Sequence, residues 1–162
     1  MAIYPLVWGS DGAPRSATAS DAIQGSFASV ATFPIDNETG GTLVVGCPVY
    51  MTGTANQIDK AKADAGATRK VVGLNTASLI TGTSGNAQND GKINMNNAAW
   101  GALVDGNGGT GLTPGDELFL SNANAGKLMV GPPATAGHYI VKVGSCVSAN
   151  DLDIDIDYRG VR

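Results

Sequence analysis

Short apolar runs, separated by clusters of Gly, Pro, Asn and Asp, make up most of the chain after residue 26. Runs of this length and spacing are typical of hairpins in an all-β sandwich or barrel. The predicted strands cover residues 27–33, 42–51, 70–74, 117–121, 127–130, 138–147 and 151–158. We therefore predict an all-β fold, with residues 26–162 forming a single β domain.

The last two predicted strands show the most regular alternation. In residues 138–147, the alternation places Val143 and Ser145 on one face and Gly144 on the other. In residues 151–158, a period of two directs one set of side chains inward and the other outward. The inward set is Leu152, Ile154, Ile156 and Tyr158, and the outward set is Asp151, Asp153, Asp155 and Asp157.

Three shorter segments carry local signals of their own. Asp-Gly at 90–91 is a common hairpin turn, and Pro-Gly at 114–115 suits the central positions of a type II turn. Residues 96–103 can form one or two helical turns, with Trp100 as the packing anchor. These segments add turns and a short helix to the predicted β domain.

Residues 1–25 show no regular period and contain two prolines that limit helix and ladder hydrogen bonds. We interpret them as an extended N-terminal arm. Its apolar end must be buried against the protein's own body or against a neighbouring molecule. The predicted contact residues of this arm are Ile3, Tyr4, Leu6, Val7 and Trp8.

Composition and charge disfavour several classes of protein for this chain. The chain has 23 Gly and 7 Pro, only 15% charged residues and 43% hydrophobic residues, which disfavours both a helical bundle and a disordered chain. The net charge of −4 disfavours direct binding to nucleic acid, because a basic stripe is missing. The first apolar run is broken by Pro5 and has no preceding Lys or Arg, so we expect neither a signal peptide nor a membrane span.

Residues able to perform chemistry are few and scattered. The single histidine, His138, opens an alternating strand, where a structural or solvent-facing role is favoured, and no G-x-S-x-G motif accompanies it. Cys47 and Cys146 do not form a C-x-x-C pair, and we favour two buried free thiols over a disulfide between them. We predict no catalytic residue and no cofactor.

The row of four aspartates at the end of the chain raises the question of a metal site. Residues on the same face of a strand lie about 6.6 Å apart, whereas calcium ligands lie about 2.4 Å from the ion. The row also lacks the glycine turn of a calcium loop. We therefore favour a solvated outer face that keeps an edge strand from pairing with other chains, and we predict no metal site.

A series of short motifs runs in order through residues 41–157, about three-quarters of the chain. The motifs are G-x-P-V-Y-M at 46–51, K-A-x-A at 60–63, V-V-G-L at 71–74, Q-x-D-G at 88–91, Trp100, G-L-T-P-G-D-x-L-F-L-S at 111–121, A-G-K-L at 125–128, P-P at 132–133, G-H-Y-I-V-K-V-G at 137–144 and S-x-x-D-L-D-I at 148–154. The ordered series resembles a β-structured module of tailed-bacteriophage virion proteins. The module occurs in capsid decoration (cement) proteins and in fibre or tail-associated subunits.

The resemblance implies a small β-barrel or β-tulip-like sandwich, a homotrimer and a place on the outside of a virion, and it implies no catalytic residues. The short chain without heptads favours a decoration protein, made in the host cytoplasm, that binds the major capsid protein on the expanded head. The alternative is a head-fibre or tail-associated domain that contacts a host receptor or glycan. A third hypothesis, a small hydrolase, would require a polar pocket around His138.

Overall fold

The computed structural model describes residues 6–8, 14–16, 31–107 and 109–162, which fold mainly into β-strands. Their single α-helix, α1, covers Asn97–Leu103. The strands are β1 (Leu6–Trp8), β2 (Pro14–Ser16), β3 (Thr32–Asn37), β4 (Pro48–Met51), β5 (Gln57–Lys60), β6 (Val71–Asn75), β7 (Ser84–Gln88), β8 (Gly91–Asn94), β9 (Val104–Asp105), β10 (Glu117–Leu120), β11 (Leu128–Val130), β12 (Tyr139–Cys146) and β13 (Asp151–Val161).

Five strands close into a small barrel in the order β3-β5-β4-β6-β7. The pairs are antiparallel except for β3 with β5. Apolar side chains from four of these strands and from the segments that connect them form the barrel core. Ile35, Val49, Ile58 and Ala87 lie on the strands, and Leu43, Cys47 and Leu79 lie on the connecting segments.

The other six strands of the domain form a sheet in the order β8-β13-β12-β10-β11-β9. Apolar side chains from this sheet and from α1 form a second core, which includes Trp100, Leu118, Leu120, Leu128, Val141, Val143 and Leu152. Trp100 is fully buried, and its indole N–H donates to the main-chain oxygen of Asn150 at 2.8 Å. Trp100 therefore anchors the helix to the loop that precedes β13, which confirms its predicted role as the packing anchor.

The segment after β5 joins the barrel to the sheet. The Ala63 N–H donates to the oxygen of Ser121 (2.9 Å), and the Gly126 N–H donates to the oxygen of Ala61 (2.8 Å). Ala61 and Ala63 are also buried in the core of the sheet. The two strand assemblies are thus held together by main-chain hydrogen bonds and by shared apolar packing.

The structure confirms the predicted all-β fold and its closed barrel. It also confirms the type II turn: Gly115 has φ of 93°, and the Asp116 N–H donates to the oxygen of Thr113 at 3.1 Å. The predicted strand over 70–74 corresponds to β6. The division into an arm (1–25) and one β domain (26–162) stays a prediction.

Two local predictions are wrong. Asp-Gly at 90–91 does not join a hairpin, because β7 belongs to the barrel and β8 pairs with β13 in the sheet. The Gln88 amide donates to the oxygens of Asp90 and Lys92 and holds the chain as it passes between the two assemblies. The predicted strand over 42–51 is also shorter, since a turn closed by the Cys47 N–H and the Val44 oxygen precedes β4.

The predicted faces of the last two strands are correct only in part. Irregularities in the pairing of β12 with β10 and β13 interrupt the predicted alternation, so the four successive residues from Val141 to Gly144 are all buried. Leu152 and Ile154 do face the core, but Tyr158 is 47% exposed. Over residues 151–154, β13 is also not an edge strand, because β8 and β12 flank it.

Within the predicted arm, β1 pairs with β2 as an antiparallel ladder running from Leu6 opposite Ser16 to Trp8 opposite Pro14. Local pairing therefore exists where the sequence shows no period. Ile3 and Tyr4, which were also predicted as contact residues, lie outside the described residues.

Candidate functional site

A groove of about 460 Å³ lies where the barrel, α1 and the β10–β11 turn meet. Its lining is mostly aliphatic, with two lysines and one serine. The lining residues are Val44, Val45, Cys47, Lys60 and Ser78 from the barrel, Ala99, Ala102 and Leu103 from α1, and Ala125, Gly126 and Lys127 from the turn. This groove is the candidate site, and we call it the lysine groove.

Local sequence explains the helical wall of the lysine groove. Asn96 caps α1, and its side chain accepts a hydrogen bond from the Ala99 N–H at 2.9 Å. Ala99, Ala102 and Leu103 then share one face of the helix, because residues three and four apart lie together. The small alanine side chains leave the space that forms the groove.

The opposite wall is the β10–β11 turn, and hydrogen bonds hold it in place. The Ser121 hydroxyl accepts from the N–H groups of Ala123 and Asn124, both at 3.1 Å, and donates to the Asp105 carboxylate at 2.6 Å. The Gly126 main chain is bonded to the barrel as described above. Hydrogen bonds within the protein therefore fix the turn relative to Asp105, which follows α1, and to the barrel.

Two ammonium groups give the groove its polarity. Lys127 lies 3.6 Å from the Asp105 carboxylate, which already accepts hydrogen bonds from Ser121 and Asn124. Among the described residues, no carboxylate lies within ion-pairing distance of Lys60. A negative charge is also near, because the Asp59 carboxylate raises the pKa of Cys47 while the Lys60 ammonium lowers it. The site therefore combines aliphatic walls with lysine charge that Asp59 and Asp105 compensate in part.

Cys47 is the thiol in the floor of the groove, and it is only 2% exposed. Burial raises the pKa of this thiol to about 12, although the nearby Lys60 charge partly opposes the shift. Burial likewise raises the pKa of Cys146 to about 11. Both cysteines are free and lie in different cores, so the prediction of two buried thiols is confirmed and both are neutral at pH 7.

A second polar cluster lies on the outer face of β10, β12 and β13. Lys142 is 2.9 Å from Asp155 and 3.3 Å from Glu117, and Arg159 contacts Glu117 through two bonds of 3.1 Å. Arg159 is also 2.9 Å from Asp157. The Arg159 hydrogen bonds, followed by that of Lys142, hold the pKa of Glu117 below its usual value.

These contacts account for most of the aspartate row. Asp155 and Asp157 pair with cations, and Asp151 accepts from the Ser148 hydroxyl and the Asn94 amide. Within residues 31–107 and 109–162, no three His, Cys, Asp or Glu side chains are grouped so as to hold a metal ion. The row therefore takes part in a surface network of ion pairs and hydrogen bonds.

The remaining predicted residues lie apart from the lysine groove. His138 is half-buried beside β12, and its Nδ1 lies 2.9 Å from the amide nitrogen of Asn122. Leu6, Val7 and Trp8 form β1. The sequence analysis did not identify the groove, because its residues are mostly ordinary Ala, Val, Gly and Lys from five separate stretches of the chain and carry no motif.

Comparisons with known proteins identify no family. No family model matches the chain, and no curated protein matches it. Among solved structures, the chain is similar to the head fibre gp8.5 N base of bacteriophage phi29, with a TM-score of 0.41 and 9% identity over 77% of this chain and 93% of that one. This similarity is too low to support an argument about function. No helix in the described part of the chain is long and apolar enough to cross a membrane.

Proposed function

We propose that this chain is a non-enzymatic structural protein of a phage virion. In this proposal it is a decoration protein on the outer surface of the expanded head. It binds the major capsid protein as a homotrimer and stabilises the contacts between capsomers.

The observation that supports the proposal is the agreement between the resemblance and the fold. The motifs imply a small β-barrel or sandwich, and the protein has an all-β fold with a closed barrel. The matching residues build that fold: the motif at 111–121 supplies the turn at Gly115 and the buried Leu118 and Leu120. Residues of this motif therefore lie at a turn and at core positions of the domain.

Elementary thermodynamics explains how such a protein would act. A protein that binds only the expanded head stabilises that state by mass action. A trimer makes three linked contacts, and the high effective concentration of the second and third contacts strengthens individually modest interfaces. Large apolar side chains, such as those of Leu6, Val7 and Trp8 in the arm, are the kind that dominate interface energy.

The proposal is tested with purified particles and with arm variants. Quantitative mass spectrometry of the particle should find hundreds of copies of the chain. Deletion of residues 1–10, or the triple change Leu6→Ser, Val7→Ser and Trp8→Ser, should leave a folded trimer in sedimentation equilibrium that no longer binds expanded heads. Thr18→Ala is the matched control and should bind normally.

The outcomes separate the hypotheses. Unchanged binding of the arm variants would refute the role of the arm, and a monomer in solution would refute the trimer. A handful of copies at one vertex or at the tail would replace the decoration role with the head-fibre or tail-associated alternative.

A further inference from the structure

The lysine groove has the size and lining of a small-molecule site. Such sites are clefts of roughly 300–1,000 Å³ whose walls are mostly apolar, with a few polar groups that orient the ligand. The groove measures about 460 Å³, and its polar side chains are Lys60, Lys127 and Ser78. One of its aliphatic wall residues, Val44, is 52% exposed, so the apolar surface is accessible.

The two lysines flank the same turn of the chain. The aliphatic stem of Lys60 lies so close to Gly126 that a Cβ at that glycine would be 3.1 Å from Cγ and Cδ of the lysine. Lys127 follows Gly126 directly. The stem of Lys60 therefore packs against the turn that carries Lys127, and the Lys60 ammonium lies 4.0 Å from the Cβ position of Gly41, in a chain whose net charge is −4.

The charge at this position has room for another acceptor. Each lysine ammonium carries three donors, and within the part of the chain that the structure describes, the carboxylate that pairs with Lys127 is that of Asp105, at 3.6 Å. Asp105 is engaged by Ser121 and Asn124, so it compensates the two lysines only in part. An incoming anionic group can therefore pair with lysine without displacing an internal hydrogen bond.

We propose that the lysine groove binds an amphipathic organic anion. Its apolar portion would pack against Val44, Val45 and the α1 face, and its acid group would pair with Lys60 and Lys127. The site is preformed, because main-chain bonds such as Gly126 N–H to Ala61 oxygen (2.8 Å) already fix its walls. Preformed walls reduce the ordering cost of binding. This proposal does not depend on the proposed function in the virion.

A matched pair of fluorescent probes separates the apolar and the charged contributions. 1-Anilinonaphthalene-8-sulfonate carries both an apolar ring system and an acid group, whereas N-phenyl-1-naphthylamine carries the ring system alone. Fluorescence titration of the full chain should show one saturable site for the sulfonate and weaker binding of the neutral probe. The double variant Lys60→Gln with Lys127→Gln should raise the Kd of the sulfonate by about tenfold or more, because charge-assisted bonds are lost, and leave that of the neutral probe unchanged.

Filling the groove provides the second arm of the test. Ala102→Trp places a large side chain on the groove face of α1 and should abolish binding of both probes. Ala55→Trp, in the exposed turn at the far end of β4 and β5, and Lys70→Gln, at the far end of β6, are the matched controls and should bind normally. Near-ultraviolet circular dichroism of every variant verifies that the probes report a folded protein.

Competition with aliphatic carboxylates tests the ligand class. From hexanoate to decanoate, affinity should rise by about fourfold for each added methylene, as expected when each one is buried. The proposal is overturned if no saturable binding occurs, if Ala102→Trp binds like the wild type, or if the lysine variants weaken both probes equally. Failure of every carboxylate to compete with the sulfonate would also overturn it.

Discussion

Gly126 lies in the β10–β11 turn, where the sheet touches the barrel, and Gly126→Ala tests how tightly the two assemblies are joined. Its φ of 75° is in the left-handed region, and an added Cβ would lie 2.8 Å from the Sγ of Cys47. Carbon and sulfur atoms in contact normally lie about 3.5 Å or more apart. The methyl group would therefore press against a thiol that is itself buried in the barrel.

The size of the effect follows from two separable costs. A left-handed backbone costs an alanine roughly 1–2 kcal/mol, and overpacking a well-packed site costs roughly 1–3 kcal/mol more. Gly131 has nearly the same φ, 73°, but open space around its Cβ position. Gly131→Ala should therefore show only the first cost, and Gly126→Ala should be less stable than this control by about 1–3 kcal/mol.

Urea unfolding measures the difference as a change in the transition midpoint at constant slope. Replacing Cys47 with alanine removes the atom that an added methyl would strike. In the Cys47→Ala background, the excess cost of Gly126→Ala over Gly131→Ala should thus fall to the small part that comes from the two Lys60 carbons at 3.1 Å, which belong to a flexible side chain. If Gly126→Ala and Gly131→Ala were equally stable, the contact between the β10–β11 turn and the barrel would be looser than the structure shows.

Three further predictions concern the cores and the outer face. Trp100→Phe should destabilise the protein by about 2–4 kcal/mol in urea unfolding, because it leaves a cavity and a carbonyl without its donor; an effect near zero would contradict the packing of α1. The pKa of Glu117 is lowered in the folded state, so the unfolded chain takes up its proton first, and stability should fall as the pH drops below about 5. Arg159→Met should make the midpoint of urea unfolding depend less on pH between pH 7 and pH 3. If the midpoint of this variant varied with pH as that of the wild type does, the ion pair between Arg159 and Glu117 would be contradicted. Burial raises the pKa of Cys47 to about 12 and that of Cys146 to about 11. Ellman's reagent at pH 8 should therefore react with the native protein at least ~100-fold more slowly than with the unfolded protein. Fast labelling of the native protein would show that one of the two cores opens.

The sequence predicted those elements whose signal is local. The backbone preferences of Pro and Gly are enough to favour a type II turn at residues 114–115, and the structure has this turn there. The short apolar run at 70–74 forms β6, and Trp100 anchors the helix predicted around it. Such signals depend on φ preferences and on the period of the apolar positions, which neighbouring residues largely decide.

Predictions about pairing partners were less successful. Asp-Gly at 90–91 has the composition of a hairpin turn, yet its two flanking strands find partners in different assemblies. The regular alternation predicted for residues 138–147 is interrupted, with four successive residues buried from Val141 to Gly144, because β12 pairs irregularly with both of its neighbours. A bulge is a property of two strands together, so the alternation of one strand cannot reveal it.

The sequence by itself determined that this protein is all-β, that its turns are rich in glycine and that its two thiols are buried. Only the tertiary structure decided which strands close into the barrel and where the lysine groove forms. Alternation and turn preferences act over a few residues. Residues 44 and 127 are far apart in the sequence but both line the groove. They come together only because the strands pair as they do and because the barrel packs against the sheet.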